Sequence, residues 1–440
     1  MNHAYAPLPL VEVAQPGDPA AVAELVQRAH RAGTPLYPIG GGTNLGYGVR
    51  PTEPGLGLSL AGLKRIVDYP ARDLTITVQA GLTIAALAKR LAGEGQRLPV
   101  DVPHPEQATV GGIVAASPIG PRHYRWGTIR DYVIGLSAVD GLGTCFSAGG
   151  RVVKNAAGYD LCRLLTGSLG TLGVITQVTL MVKPLPETSA LLACDVSGFD
   201  AAEKLLAGLV HTKVQPSAIE LVAGSAWKED SLLGPLSDSR SVRLVVGLEG
   251  TLAEVEWMVH QLQEEWRRAG AVSTVTLRGL RADPVWDRLA EFPWQAEGAN
   301  GAARLVVQIH VLPGCVVDAV RSVLETDPGA SVLAHAGGGV IQARLDLKPE
   351  AAPAVLKGRL RPAFARSGGS LVVLRQPEGA GFSREAVWGP PRPTHPVMQA
   401  IKDQFDHKGI LNRGRFVFAP AEGSRGWGLG TGGRGVQNEE

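Results

Sequence analysis

The chain has 440 residues, with 43 Lys and Arg against 41 Asp and Glu and a formal net charge of +2. At roughly 100–200 residues per domain this is material for two or three domains, and 45% hydrophobic with 19% charged residues is a globular composition. The near-neutral balance argues against a nucleic-acid partner. No run of about 18 apolar residues could cross a membrane, and Met1 to Leu10 has neither the basic nor the apolar region of a secretory leader.

The first helix is legible from its ends. Asp18 is a good N-cap, Pro19 suits the first helical position, Ala20 to Ala32 carry the turns and Gly33 stops it. A short strand, Pro35 to Ile39, leads into the cluster Gly40-Gly41-Gly42. Further strands are expected at Leu74–Gln79 and Tyr132–Val139, the latter turning through Asp140-Gly141-Leu142-Gly143 into Thr144–Ser147. Leu172 to Val182 is another apolar strand, ended by Lys183-Pro184-Leu185-Pro186, where a domain boundary is placed.

Beyond it strands are expected at Ala190–Val196, Val242–Leu248, Arg304–Leu312 and Leu371–Leu374. Helices are expected at Ala201–Thr212, Leu252–Arg268 and Val317–Thr326. Thr251 and Glu254 supply a capping box for the second helix and Gly270 its stop. Strand–helix–strand units in both halves predict an α+β domain with a mainly antiparallel sheet covered by helices. The expected organisation is therefore 1–187, 188–376, a C-terminal segment 377–420, and a disordered glycine-rich tail 421–440. The tail carries two overlapping G-x-G-x-x-G matches, neither of which follows a strand or opens a helix, so both fail as dinucleotide fingerprints.

Chemistry concentrates elsewhere. In Ile39-Gly40-Gly41-Gly42-Thr43-Asn44 the glycines allow successive N–H groups to converge on an anion, and Thr43 and Asn44 add short polar side chains. An ordinary glycine turn would look the same. Thr109-Val110-Gly111-Gly112 puts a second glycine pair at an expected helix start, where bare N–H groups would suit a diphosphate. Then follow Arg125 to Asp131, Val152-Val153-Lys154-Asn155-Ala156-Ala157-Gly158-Tyr159-Asp160, and Thr166 to Thr176. The four cysteines, Cys145, Cys162, Cys194 and Cys315, lie too far apart to hold an iron–sulfur cluster or a zinc ribbon.

Taken in order, these motifs resemble the PCMH-type FAD-binding domain of the vanillyl-alcohol oxidase superfamily, over about Leu8 to Pro186. Phe405 to Arg415 is similar to that family's D-P-x-G-x-x-N-P-G-R ending, with His407 and Arg413 where the prolines usually stand. Lys154 to Asp160 followed by Leu164 to Ser168 looks most like the glycolate oxidase FAD-binding subunit family. The resemblance implies a two-subdomain FAD-binding domain plus an α+β cap. It further implies non-covalent FAD contacted by Ile39, Gly40, Gly41, Gly42, Thr43, Asn44, Thr109, Val110, Gly111, Gly112, Val174 and Ile175, with Asn412 near the flavin ring. It also implies a heteromeric complex with a GlcD-like catalytic flavin subunit and a GlcF-like iron–sulfur subunit, oxidising a small 2-hydroxy acid such as glycolate. The complex is expected to be cytoplasmic, peripheral to the inner membrane.

One departure matters. Catalytic relatives carry a metal-binding segment H-x-G-D-G-N-x-H, and here His335-Ala336-Gly337-Gly338-Gly339-Val340-Ile341-Gln342 occupies a similar stretch. Gly338 replaces the acid, Val340 the Asn and Gln342 the second His, a poor divalent-metal set, so no metal is expected. Three readings stay open: a subunit active only within a complex, a self-sufficient dehydrogenase using His335, Arg344, Arg375 or Lys154, and a flavin-bearing assembly subunit.

Overall fold

The computed structural model describes residues 8–150, 159–229, 231–236, 242–271, 273–295, 304–377, 380–415 and 417. The segment Lys154 to Gly158 and the glycine-rich tail lie outside them.

The first helix is Pro19–Ala32. The Asp18 side chain accepts from Ala21 N–H, Gly33 ends it at φ +67°, and Val22, Leu25, Val26 and Ala29 are buried. That apolar stripe packs on the N-terminal core together with Leu36, Leu58, Ile76, Val78 and Val178. Two larger sheets and a two-stranded pairing of Gln96–Arg97 with Lys183–Pro184 build this half. In the three-stranded sheet Gly55–Ser59 lies between Leu10–Ala14 and Leu36–Ile39, all parallel. The five-stranded sheet runs Ile66–Asp68, Thr75–Gln79, Val174–Met181, Val133–Val139, Cys145–Gly149, with antiparallel neighbours. The Asp140–Gly143 turn joins its last two strands in sequence, as expected.

The second half is an eight-stranded sheet. Its order is Thr274–Arg278, Thr188–Val196, Val242–Gly250, Ala218–Gly224, Ser331–His335, Val340–Leu345, Leu305–His310, Ser370–Arg375, and every neighbouring pair is antiparallel. Its chain order is β-α-β-β-α-β run twice, and the halves meet where Ala218–Gly224 pairs with Ser331–His335. One face is covered by the helices Phe199–Leu209, Leu252–Arg268 and Val316–Thr326. The helix Leu252–Arg268 has its expected bounds, and Thr251 and Glu254 form the capping box. The other face carries a smaller apolar cluster, with Leu191, Val222 and Leu333 packed on Trp227, Trp286 and Phe292. The expected α+β architecture is the observed one.

Besides Leu10–Ala14, Gly55–Ser59, Ile66–Asp68 and two two-residue strands in the first half, four strands of the eight-stranded sheet went unread in the sequence: Ala218–Gly224, Thr274–Arg278, Ser331–His335 and Val340–Leu345. Three of them are buried along almost their whole length, so they lack the polar alternation that marks a half-exposed strand.

The C-terminal segment crosses back to the N-terminal half. After the helix His395–Phe405, Leu36 N–H donates to Ile410 O (2.8 Å) and Asn412 N–H to Leu36 O (2.8 Å), so the segment lies against the free edge of Leu36–Ile39. Buried Lys402 donates to Asp406 (2.6 Å), whose other acceptor positions take the N–H groups of Ile410 and Leu411. Among the described residues no helix is long and apolar enough to cross a membrane.

Candidate functional site

The strand Leu36–Ile39 ends at Gly40, and the chain then turns without regular structure to Gly48. Gly42 sits at φ +80°, the left-handed conformation that favours glycine. The N–H groups of Gly40, Gly41, Gly42, Thr43 and Asn44 donate to no acceptor among the described residues. A row of free amides around a positive-φ residue is a concave anion cradle.

Gly40 and Gly41 are glycine for a reason different from ligand approach. A Cβ on Gly40 would stand 2.3 Å from Thr109 Oγ1, and one on Gly41 only 1.7 Å from Gln107 O. The two glycine segments are thus packed backbone to backbone. The second, the helix Val110–Ala116 capped by Thr109, has its first amides already committed. Val110 donates to Leu82 O (2.9 Å), Gly111 to Ala80 O (2.8 Å) and Gly112 to Thr109 Oγ1 (3.3 Å). Bare amides are therefore found at Gly40–Asn44 and not at Val110–Gly112: the helix starts where expected, but its first N–H groups, expected to be bare, are taken by protein acceptors.

Together the segments form a cleft. One wall is Gly40 to Leu45, the other Thr109, Gly112, Ala115 and Ala116, with Leu169, Asn412 and Arg415 closing it. Asn412, at φ +46°, donates from its side chain to Leu169 O, so the C-terminal segment pins the end of the cleft. At Leu169 and Arg415 the cleft runs into an apolar recess bounded by Leu164, Leu172, Trp388, Met398 and Ile401. Val174 and Ile175 lie instead in the N-terminal hydrophobic core, paired with Val139 and Ala138, and line none of these spaces.

A third cavity lies between the halves of the molecule. Asn44, Tyr47 and Ser117 come from one side, and Trp294, Gln308, Gln342 and Leu374 from the eight-stranded sheet. Arg344 does not itself line this cavity; its guanidinium donates to Gln295 O, the neighbour of the lining residue Trp294, and lies 4.4 Å from the centre of the Phe292 ring. Arg344 is buried, forms no ion pair among the described residues, and has an unpartnered Nε. Burial, reinforced by Arg304 and Arg288, pushes its pKa down to about 10. Arg375 reaches Trp294 O (3.5 Å), and its Cγ passes close to Gly46.

His335 and its neighbours form a buried polar knot near this cavity. His335 Nδ1 and Glu220 Oε2 are 2.7 Å apart, both side chains 1% exposed, at the seam of the duplicated sheet. Burial pushes Glu220 up and His335 down to about 4, which favours a neutral hydrogen-bonded pair. The His123 ring packs edge-on to His335, with 5.2 Å between centroids, and a Cβ on Gly338 would meet His123 Nε2 at 2.2 Å. Where catalytic relatives of the expected family carry an acid, an imidazole from the other half fills the space. Among the described residues no three His, Cys, Asp or Glu side chains are grouped to hold a metal. His104 is paired with Glu291 (3.1 Å) and lines neither the cleft nor its recess.

Sequence reasoning missed Arg415, Glu220 and Glu249. Two of them had a visible sign, a lone carboxylate inside an apolar run: Ala218-Ile219-Glu220-Leu221-Val222 and Val245-Val246-Gly247-Leu248-Glu249.

The residues fit FAD: free amides for a diphosphate, an unpaired buried guanidinium at the same cleft, and an apolar recess beyond it. Comparison with known proteins agrees. The model of the FAD binding domain matches residues 12–149, and that of the C-terminal domain of FAD linked oxidases matches residues 185–370. Glycolate oxidase subunit GlcD of Bacillus subtilis (strain 168) is 32% identical over 244 residues, 55% of this chain and 52% of that protein. Glycolate oxidase subunit GlcE of Escherichia coli (strain K12) is 36% identical over 200 residues, 45% of this chain and 55% of that protein. The match thus spans about half the length of each relative. The solved structure of alkyldihydroxyacetonephosphate synthase superposes with a TM-score of 0.68 at 19% identity, covering 92% of this chain and 77% of that one, which is a likeness of fold. With both domain models and the fold in agreement, the chain belongs to the PCMH-type FAD-binding superfamily of FAD-linked oxidoreductases, and its cofactor is FAD.

Proposed function

We propose that this chain is the FAD-binding subunit of a glycolate dehydrogenase-like complex that oxidises a small 2-hydroxy acid, glycolate to glyoxylate, and passes electrons to an iron–sulfur partner. The observation that carries the acidic substrate is Arg344, a buried guanidinium with no carboxylate partner among the described residues, bonded to Gln295 O next to Trp294 of the cavity between the halves. An uncompensated buried charge is costly, and a substrate carboxylate would compensate it. Matches to two glycolate oxidase subunits support the same chemistry.

Bound FAD supplies the two-electron acceptor for the substrate's α-hydrogen. The chain's own residues do the rest. Arg344, helped by Arg375, holds the carboxylate. Gln308 and Gln342 offer hydrogen bonds to the hydroxyl, while Tyr47 and Trp294 exclude water. The step also needs the hydroxyl proton removed. In the stretch His335 to Gln342 an acid and a second histidine are absent, and His123 occupies the space at Gly338. Losing one electrostatic contact of this kind costs on the order of 10²-fold in rate, so the isolated chain is expected to be slow and a GlcD-like catalytic partner to supply that chemistry.

A self-sufficient dehydrogenase is favoured by one observation: His335 Nε2 is buried without a hydrogen-bond partner, while Glu220 holds Nδ1. With Glu220 protonated and the imidazole neutral, Nε2 acts as a general base in the tautomer that carries its proton on Nδ1. Anaerobic flavin reduction by a panel of 2-hydroxy acids, with and without co-purified partner subunits, separates the two. Bleaching only in the complex supports the subunit. Rapid bleaching of the single chain supports the alternative, and no bleaching in either preparation rejects both.

A further inference from the structure

We infer that Arg415 is the cofactor's second anion contact: its buried guanidinium pairs with the FAD diphosphate held on the Gly40–Asn44 amides and fixes the loop that presents them. The inference rests on FAD as cofactor and is independent of the substrate.

Arg415 is 3% exposed, yet it forms no ion pair among the described residues. Its two terminal nitrogens donate to the carbonyls of Leu45 and Tyr47, the chain immediately after the free amides, and its Nε is buried with no partner. Two neutral carbonyls satisfy hydrogen bonds but leave the charge uncompensated, and burial accordingly pushes its pKa down to about 10. The nearest compensation is geometric. Arg415 lines the same cleft as Gly40 to Asn44, whose N–H groups donate to no acceptor among the described residues. A diphosphate there would accept from both walls at once. Because Arg415 is carried by the segment whose Asn412 is bonded to Leu36 and Leu169, the charge is placed by a rigid support and cannot follow a solvent-exposed anion elsewhere.

The test uses the full chain stripped of flavin, with R415Q and R415K, and measures binding of FAD, ADP and riboflavin by calorimetry and flavin fluorescence. Hydrogen bonds to a charged group set the scale. R415Q is expected to weaken FAD and ADP by the same factor, on the order of 10–100-fold, and to leave riboflavin, which has no phosphate, unchanged. R415K, which keeps the charge and loses the fork, is expected to lose only a few fold (about 3–5). The rise in melting temperature on adding FAD should shrink in R415Q more than the flavin-free melting temperature falls. Unchanged FAD and ADP affinity would overturn the assignment. So would equal loss of riboflavin and ADP, which marks a structural role, or loss of riboflavin alone, which places Arg415 at the ring. If R415Q does not fold, R415K decides: unchanged ADP binding with weaker riboflavin binding rejects the diphosphate contact.

Discussion

Glu249 is the centre of one ion-pair network that holds the two halves of the molecule together. It is the penultimate residue of the strand Val242–Gly250, and its carboxylate is 1% exposed. Arg97 donates to it through both terminal nitrogens (2.9 and 2.9 Å), Arg122 through Nε (2.7 Å) and Trp126 through Nε1 (2.9 Å), all from the FAD-binding half. Arg122 also pairs with Asp101 and lies 3.8 Å from the centre of the Trp286 ring. Desolvation pushes the Glu249 carboxyl up, but hydrogen bonds from Arg97 and the charges of Arg122 and Arg97 outweigh it and hold the pKa at about 2. Removing one member of a buried ion pair costs about 3–5 kcal/mol. Arg97 and Arg122 keep 16% and 19% exposure, and Arg122 keeps Asp101, so water and that carboxylate recover part of the loss. For E249A the expected loss is the low end, about 3 kcal/mol, with E249Q between it and the wild type. The assay is urea unfolding, followed by tryptophan fluorescence and by release of bound flavin. The first transition should move to lower urea, and the two probes should separate as the halves uncouple. A loss below about 1 kcal/mol, with the probes still coincident, would show that this network contributes no more than surface ion pairs.

Gly41→Val places side-chain atoms against Gln107 O, where even a Cβ would stand at 1.7 Å. The purified protein is expected to contain no FAD while circular dichroism reports a folded cap; full flavin content would show that the loop only turns the chain. Thr43 and Asn44 stand where a histidyl-linked relative carries its histidine, so acid precipitation should leave the yellow colour in the supernatant, and colour in the pellet would mean a covalent link. Burial, helped by the nearby His335, pushes the pKa of His123 down to about 4, and burial pushes His335 down to about 4 against the opposing pull of Asp101 and Gln342, both well below the ordinary imidazole value. At His123 the unfolded chain therefore binds a proton that the folded chain refuses, and stability falls as pH drops from 6.5 toward 4 by up to ~1.4 kcal/mol per pH unit; the matching contribution of His335 is offset over that interval by Glu220, which burial keeps protonated in the folded chain. A flat stability profile over that interval would refute this.

What the sequence made legible was local. Asp18 and Gly33 frame their helix, Thr251 and Glu254 cap theirs, and the glycine run Gly40 to Gly42 marks the anion loop, because each depends on neighbours a few residues away. The strands Ser331–His335 and Val340–Leu345 were not legible, since burial on both faces erases period-two patterning. Nor were the reasons for residues whose partners are distant. Gly41 is fixed by Gln107, Gly338 by His123, and Glu249 by Arg97 and Arg122, all contacts set by the fold. Arg415 is the clearest case. Its motif gave a resemblance, while its meaning, a buried charge beside a row of free amides, exists only once residues 40–48 and 412–415 are side by side.

The carboxylate-reading role of the cavity between the halves is tested most directly by titrating the flavin-loaded complex anaerobically with glycolate and with ethylene glycol, which lacks the carboxylate. The flavin absorbance should respond saturably to glycolate alone, and R344M, with bound FAD unchanged, should lose that response by on the order of 10²-fold in half-saturating concentration. Equal responses to the acid and the diol, or an R344M complex that bleaches with glycolate as the wild type does, would contradict an acidic substrate bound at Arg344.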